Sequence, residues 1–185
     1  MSLIAQTIRT DQRRGISIRS SCGLNLYSRE WVPSAAPRAL IFWFHGYGAH
    51  CHRASDNRIG EQLLARDIAL FAIDQRGCGC SEGKRGLLQD SNTLTDDAHR
   101  FIDAIQRRHP TTPFFIMGES LGGALAIALG INLQRQSENQ FGGAMLIAPA
   151  IENTVEPTPL ATQILLQLAR IFPFWYKGVP YPSAD

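Results

Sequence analysis

One serine of this sequence lies in a pattern that could make it a nucleophile. Residues 113–117 form a short, mostly apolar run, Gly118-Glu119-Ser120-Leu121-Gly122 follows directly, and small and aliphatic residues typical of a helix come next. In a nucleophile elbow, a strand turns sharply into a helix and raises a serine hydroxyl above the sheet. Gly118 and Gly122 suit this turn because close strand–helix contact leaves no room for a Cβ atom. The pattern predicts a nucleophilic Ser120; a helix N-cap in a buried packing unit is the alternative.

Buried strands and helices alternate along the chain and must position this serine. Continuous apolar runs, as in strands buried on both faces, occupy residues 39–44, 69–73, 113–117 and 142–149. Helical patterns lie around 59–64 and over Thr93–His109, the latter expected to begin with a Thr93–Asp96 capping box. Residues 16–32 read as a β-hairpin. This order predicts an α/β fold with a mostly parallel, doubly wound sheet, whose sites lie at the carboxyl ends of the strands.

The composition fits one globular domain without a metal. The chain has 185 residues, of which 44% are hydrophobic, and a formal net charge of +2. A charge this small, without an aromatic-studded basic groove, gives no reason to expect nucleic-acid binding. The four cysteines lack zinc-site spacing and favour free thiols in a reducing compartment. Residues 1–10 hold no secretory signal, so we expect a cytoplasmic protein. We also expect that it needs no metal or organic cofactor.

The histidines and the glycine-rich loop each allow two interpretations. His45, in His45-Gly46-Tyr47-Gly48, could be a catalytic base, but we favour a structural histidine that holds its loop. His50 and His52 lack a third ligand and are expected to be loop residues rather than zinc ligands. Residues 74–83 are dense in glycine, yet no helix start and no Walker pattern follows. We interpret them as a wall of the site rather than a phosphate loop.

The chain divides into three parts. We expect residues 1–15 to be a loosely ordered lead-in, residues 16–150 the α/β core, and residues 151–185 the start of a hydrophobic cap. An apolar stripe in Leu160–Tyr176 supports the last assignment. Such a stripe could cover an apolar pocket or make peripheral contact with a membrane.

These motifs together resemble the monoacylglycerol lipase branch of the α/β-hydrolases, also described as serine aminopeptidase S33-like or lysophospholipase-like. The matching stretches are residues 45–50, 74–83, 118–123 and 146–149. Their order and spacing extend the resemblance over nearly all of residues 20–176. Glu119 departs from the pattern, because many relatives carry histidine or glutamine beside the nucleophile. The resemblance implies the α/β-hydrolase fold and a mobile hydrophobic cap over an acyl-chain tunnel.

The resemblance also implies roles for single residues. In this fold two backbone N–H groups form the oxyanion hole, one from the loop after an early strand and one from the residue after the nucleophile. In this sequence those residues are Tyr47 and Leu121. His45, Gly46 and Gly48 then support the loop, and Gly118 and Gly122 support the elbow.

The catalytic base is not evident from the sequence. The fold's order is Ser, then Asp or Glu, then His, whereas all five histidines precede Ser120. The expectation is therefore the N-terminal portion of such an enzyme, truncated after the strand that follows the elbow helix, and inactive and poorly soluble alone.

The function implied is a serine carboxylic-ester hydrolase that acts on acyl-ester lipids such as monoacylglycerols or lysophospholipids. Two alternatives stay open. An acyltransferase or a peptidase could use the same scaffold, since a fold does not fix a reaction. A non-catalytic protein of this fold could instead bind a lipid or a partner through the Leu160–Tyr176 stripe.

Overall fold

The computed structural model describes residues 12–14, 16–52, 58–87, 90–136 and 140–151. The strands are β1 (Gln12–Arg14), β2 (Ile18–Arg19), β3 (Asn25–Leu26), β4 (Ser28–Trp31), β5 (Ala39–Phe44), β6 (Ile68–Ile73), β7 (Phe114–Glu119) and β8 (Phe141–Ile147). The helices are α1 (Ile59–Leu64), α2 (Ser91–Gln106) and α3 (Leu121–Arg135). Residues 1–11 and 152–185, which hold most of the predicted lead-in and cap, lie outside the described residues.

The main sheet has the order β1-β4-β6-β5-β7-β8. Strands β6, β5, β7 and β8 run parallel, while β4 is antiparallel to β6 and β1 is antiparallel to β4. Each parallel connection carries a helix, as a parallel crossover requires. The predicted mostly parallel sheet is confirmed.

The predicted hairpin over residues 16–32 is right in part. β2 and β3 pair antiparallel around the expected turn, with Ile18 opposite Leu26. The rest of the segment forms β4, which leaves the hairpin and joins the main sheet, with Trp31 opposite Leu70. Trp31 is fully buried there. Burial of this large side chain against the sheet explains why the strand joins the sheet, because apolar area removed from water is the dominant stabilising term.

Both faces of the central strands are covered. On one face Phe42, Phe44 and Phe71 pack with the apolar sides of α2 and α3. On the other face Trp31 and Trp43 pack with residues of α1. A strand buried on both faces has no polar side, which is why these strands appear in the sequence as continuous apolar runs.

Helix α2 begins and ends earlier than the sequence predicts. Its N-cap is Asp90, whose carboxylate accepts hydrogen bonds from the Thr93 amide at 3.0 Å and the Thr93 hydroxyl at 2.7 Å. The predicted Thr93–Asp96 box is therefore wrong, because Thr93 acts as the donor to a cap three residues upstream. The helix ends at Gln106, and the amides of Arg108 and His109 make bonds of the i→i−3 type beyond it.

Strand β8 is the last strand of the sheet and is exposed over its carboxyl half. Met145, Leu146 and Ile147 are between 36% and 44% exposed. None of the described helices is both long and apolar enough to cross a membrane.

Candidate active site

Ser120 is the single residue between β7 and α3, and it lies at the carboxyl ends of the parallel strands. Its backbone has φ 53° and ψ −115°, a region that residues other than glycine rarely adopt. Such strain persists only where the surrounding structure holds it, and it concentrates at functional sites. The strand-to-helix turn therefore lifts this one side chain out of both elements, as a nucleophile elbow does.

The turn is possible because the neighbouring glycines let backbones touch. A Cβ atom on Gly118 would lie 2.1 Å from the carbonyl oxygen of Gly122. A Cβ atom on Gly122 would lie 2.0 Å from the carbonyl oxygen of Phe44, at the end of β5. Any larger residue at these positions would push α3 away from the strands that support it.

The loop after β5 lies directly against Ser120. A Cβ atom on Gly46 would lie 3.2 Å from Ser120 Cβ and 3.8 Å from Ser120 Oγ. The loop folds into a tight turn in which the Ala49 amide donates to the Gly46 carbonyl at 3.1 Å. Gly48 has φ 69° at the third position of this turn, which favours glycine. Tyr47, the second position, thus follows a residue in contact with Ser120.

His45 is fully engaged in holding this loop to its neighbour. Its buried ring accepts a hydrogen bond from the Gln75 amide at Nε2, at 3.0 Å, so the proton lies on Nδ1, which donates to the Gly46 carbonyl at 2.7 Å. The Gln75 side chain donates back to the His45 carbonyl at 2.6 Å. Burial lowers the pKa of His45, so the ring is neutral. With both nitrogens occupied, this ring has no atom left to accept the Ser120 proton.

A buried carboxylate, Asp74, ties the loop after β5 to the loop after β6. One oxygen accepts a hydrogen bond from the Cys51 amide at 2.6 Å, and the other accepts one from the Cys80 amide at 2.7 Å. A Cβ atom on Gly79 would lie 1.9 Å from this carboxylate. Burial beside this carboxylate also raises the pKa of Cys51, so that thiol stays protonated and inert. The pattern of residues 74–83 did not predict this role for Asp74.

The loop after β6 contacts the loop after β5, and its role as a wall of the site stays a prediction. The hydroxyl of Tyr47 donates to the Gly86 carbonyl at 2.8 Å. The start of the loop after β6 is fixed by a buried bidentate ion pair, in which Arg76 Nε and Nη2 donate to Asp97 of α2 at 2.6 and 2.7 Å. The loop after β6 is thus anchored both to the core and to the loop that carries Tyr47.

The chemistry available is that of a serine beside a backbone donor at the start of a helix. The Leu121 N–H belongs to the first turn of α3, whose amides have no partner within the helix, and it has no acceptor among the described residues. None of the described side chains is hydrogen-bonded to Ser120 Oγ. Across the same parts of the chain, no group of histidine, cysteine, aspartate or glutamate side chains could hold a metal ion.

A protein-family model and known relatives both match this chain. Residues 35–181 match the model of a protein family described as serine aminopeptidase, S33. A monoglyceride lipase of Mus musculus is 36% identical over 129 residues, which are 70% of this chain and 41% of that protein. This chain therefore spans well under half the length of that relative.

Solved structures show the same fold. A monoacylglycerol lipase of Paleococcus ferrophilus is 26% identical, with a TM-score of 0.58 over 80% of this chain and 52% of that one. A soluble variant of monoglyceride lipase from Saccharomyces cerevisiae, in complex with a substrate analog, is 21% identical, with a TM-score of 0.63 over 86% of this chain and 52% of that one. The fold is that of the α/β-hydrolases.

Proposed function

The chain belongs to the serine aminopeptidase S33 family of α/β-hydrolases, and we propose that it is a serine carboxylic-ester hydrolase with Ser120 as its nucleophile. The observation that carries the proposal is the strained conformation of Ser120 at the strand–helix junction, with Gly46 packed against it. A hydroxyl held this way is exposed to a bound ester and adjacent to backbone donors.

The proposed reaction follows from this geometry. The Ser120 oxygen bonds to the ester carbonyl carbon while its proton passes to a base, and the carbonyl oxygen becomes an oxyanion. The N–H groups of Tyr47 and Leu121 stabilise that charge as fixed dipoles, which need no reorganisation during the reaction. Collapse of the intermediate expels the alcohol, and water then releases the fatty acid from Ser120.

The base that this reaction needs is not hydrogen-bonded to Ser120 Oγ among the described residues. His45 uses both ring nitrogens elsewhere, and a serine without a base is a weak nucleophile. We therefore propose that the 185-residue chain by itself does not sustain turnover. Its oxyanion donors would still contribute, since a site without its triad keeps part of its rate enhancement.

The proposed substrate is an acyl-ester lipid such as a monoacylglycerol or a lysophospholipid. Support comes from the relatives, which are monoglyceride and monoacylglycerol lipases by name. The predicted apolar stripe of Leu160–Tyr176 lies outside the described residues, and its contact with lipid or membrane remains part of the proposal. A peptidase or an acyltransferase on this scaffold is the alternative within the family.

Chemical rescue tests the proposal. We expect added imidazole, a small diffusible base, to produce release of fatty acid from a monoacylglycerol that depends on Ser120, with little cleavage of aminoacyl amides. The Ser120→Ala variant should lack this rescued activity. Preferential cleavage of amides would instead assign a peptidase, and rescue that is equal in Ser120→Ala would remove Ser120 from the mechanism.

A second candidate is a non-catalytic lipid-binding protein. It is favoured by the absence, among the described residues, of a base hydrogen-bonded to Ser120 Oγ. It predicts tight association with monoacylglycerol vesicles that is unchanged by Ser120→Ala, without rescue by imidazole. Equilibrium binding measured alongside the rescue experiment separates the two functions.

A further inference from the structure

The segment after β8 makes direct contact with the elbow. The Ser120 amide donates to the Ile147 carbonyl at 3.0 Å, and the Ser120 carbonyl accepts a hydrogen bond from the Ala150 amide at 2.9 Å. The same carbonyl accepts bonds from Gly123 and Ala124 at 2.9 and 3.2 Å. Among the described residues, Ala150 is therefore the partner outside α3 that holds this oxygen.

The bond from Ala150 is not a regular rung of the sheet. Glu119 and Ile147 are paired at the end of the β7–β8 ladder, and parallel rungs are evenly spaced. The next donor to the Ser120 carbonyl would be the amide of residue 149, but Pro149 has no N–H. Ala148 adopts φ 42°, an uncommon conformation for a residue with a side chain. The chain thus bends after β8 so that Ala150 supplies the missing donor.

The consequence lies in the peptide that joins Ser120 to Leu121. A peptide group is planar, so fixing its carbonyl also fixes the direction of its N–H. In this peptide the N–H is that of Leu121, the donor assigned above to the oxyanion. Oxyanion donors act only when they are aimed at the position where charge develops.

We propose that the Ala150 N–H positions the Leu121 N–H for catalysis by holding the carbonyl oxygen of the Ser120–Leu121 peptide. This inference rests on the proposed function for its catalytic meaning. Ala150 is a positioning residue, because it acts through a peptide and not on the substrate. Ala148 and Pro149 give the segment its path, and Gly123 gives it space, since a Cβ atom there would lie 2.8 Å from Pro149 Cα.

Replacement of Ala150 by proline removes the donor, and the ring carbon that takes its place pushes the segment away from the Ser120 carbonyl. The Ile151 amide donates to the Pro149 carbonyl at 3.0 Å, and Ala150 has no positive φ. This is an inverse γ-turn, whose central φ of about −75° is one that proline adopts. Ala150→Gly is the matched variant that keeps the N–H.

Two readouts measure the effect. The first is the rate at which a fluorophosphonate labels Ser120 in the presence of imidazole, per mole of folded protein. We expect Ala150→Pro to label about tenfold more slowly than Ala150→Gly, less than the loss of an entire oxyanion donor. The second is the amide resonance of Leu121 in a ¹H–¹⁵N spectrum, which we expect to shift in Ala150→Pro more than in Ala150→Gly.

A second pair of variants reaches the same bond from α3. Gly123→Ala pushes Pro149 away, whereas at Gly130, in the same helix, a Cβ atom would meet only Phe141 ring atoms at 3.6 Å and beyond. We expect Gly123→Ala, but not Gly130→Ala, to speed hydrogen exchange of the Ala150 amide and shift the Leu121 resonance.

The outcomes separate this inference from the proposed function. Equal labelling rates and an unmoved Leu121 resonance in Ala150→Pro would overturn the positioning role. Absence of Ser120 labelling in the unmodified protein would count against the proposed function, and the Leu121 and Ala150 amides would still decide whether the segment holds the peptide.

Discussion

At the scale of single residues, the loops around Ser120 are held by polar groups buried in the protein and by glycines that permit backbone contact. His45 and Asp74 each satisfy backbone amides of a loop that would otherwise be buried without partners. Leaving such a group unpaired costs about 1–3 kcal/mol. These side chains therefore hold the loops in place without acting on the substrate.

The ring of His45 gives a pH prediction. Burial lowers its pKa, so the unfolded chain binds a proton below the ordinary value of about 6.5 that the folded chain does not bind. The free energy of unfolding should thus fall as the pH decreases below that value, by at most about 1.4 kcal/mol per pH unit from this residue. Ring ¹⁵N shifts should show a neutral ring protonated on Nδ1 at pH 7. Titration of His45 at or above 6.5 would contradict the assignment.

The contact between Gly122 and β5 gives a stability prediction. Gly122→Ala places a Cβ atom against the Phe44 carbonyl, and overpacking of this kind costs about 1–3 kcal/mol. Gly130→Ala in the same helix should instead stabilise the protein by about 0.5–1 kcal/mol. Urea unfolding of both variants measures the difference. If the two shift the midpoint equally, Gly122 has no special packing role.

The roles of some single residues could be predicted from the sequence, and those of others could not. Ser120, Gly118 and Gly122 stand in one short motif, which local spacing reveals. Ala150 could not be found this way, because its bond depends on the left-handed conformation of Ala148. Alanine as a residue type does not predict a positive φ.

At the scale of secondary structure, the strands were predictable and their boundaries less so. Strands buried on both faces appear as continuous apolar runs, which the sequence shows directly. The membership of β4 was not predictable, since residues 28–31 pair with residues 70–73 far along the chain. The start of α2 was ambiguous because Asp90 and Thr93 are both good capping residues.

The cap of α2 can be tested directly. Asp90→Ala removes the acceptor of the Thr93 amide and should cost about 1 kcal/mol. Asp96→Ala, an exposed residue inside the helix, should change stability by less than about 0.5 kcal/mol. Thermal unfolding monitored by circular dichroism compares them. A larger loss in Asp96→Ala would restore the capping box that the sequence suggested.

At the scale of the whole molecule, the described core ends at an apolar sheet edge. The outer strand β8 exposes Met145, Leu146 and Ile147, and exposed edges of this kind pair with other chains. The site lies beside this edge, since the residues that follow β8 bind the Ser120 carbonyl. Whatever covers β8 would thus also affect Ser120.

The edge predicts self-association of the isolated chain. Leu146→Lys places a charge on the edge and should lower the fraction of dimers and larger species, because charges blunt edge pairing. Ile131→Lys is the control, since Ile131 is equally exposed, at 46%, but lies on α3. Sedimentation velocity over a range of concentrations compares the variants. A similar decrease in both would indicate general solubility rather than edge pairing.

The most direct test of Ser120 as the proposed nucleophile is the site of covalent labelling by a fluorophosphonate. Intact-mass and peptide mass spectrometry of the 185-residue chain, with and without imidazole, would locate the label, and Ser120→Ala would be the control. We predict one label, on Ser120, that forms slowly in the chain alone and faster with imidazole, and that is absent from Ser120→Ala. Equal labelling of Ser120→Ala, or no label on Ser120 even with imidazole, would contradict its role as the nucleophile.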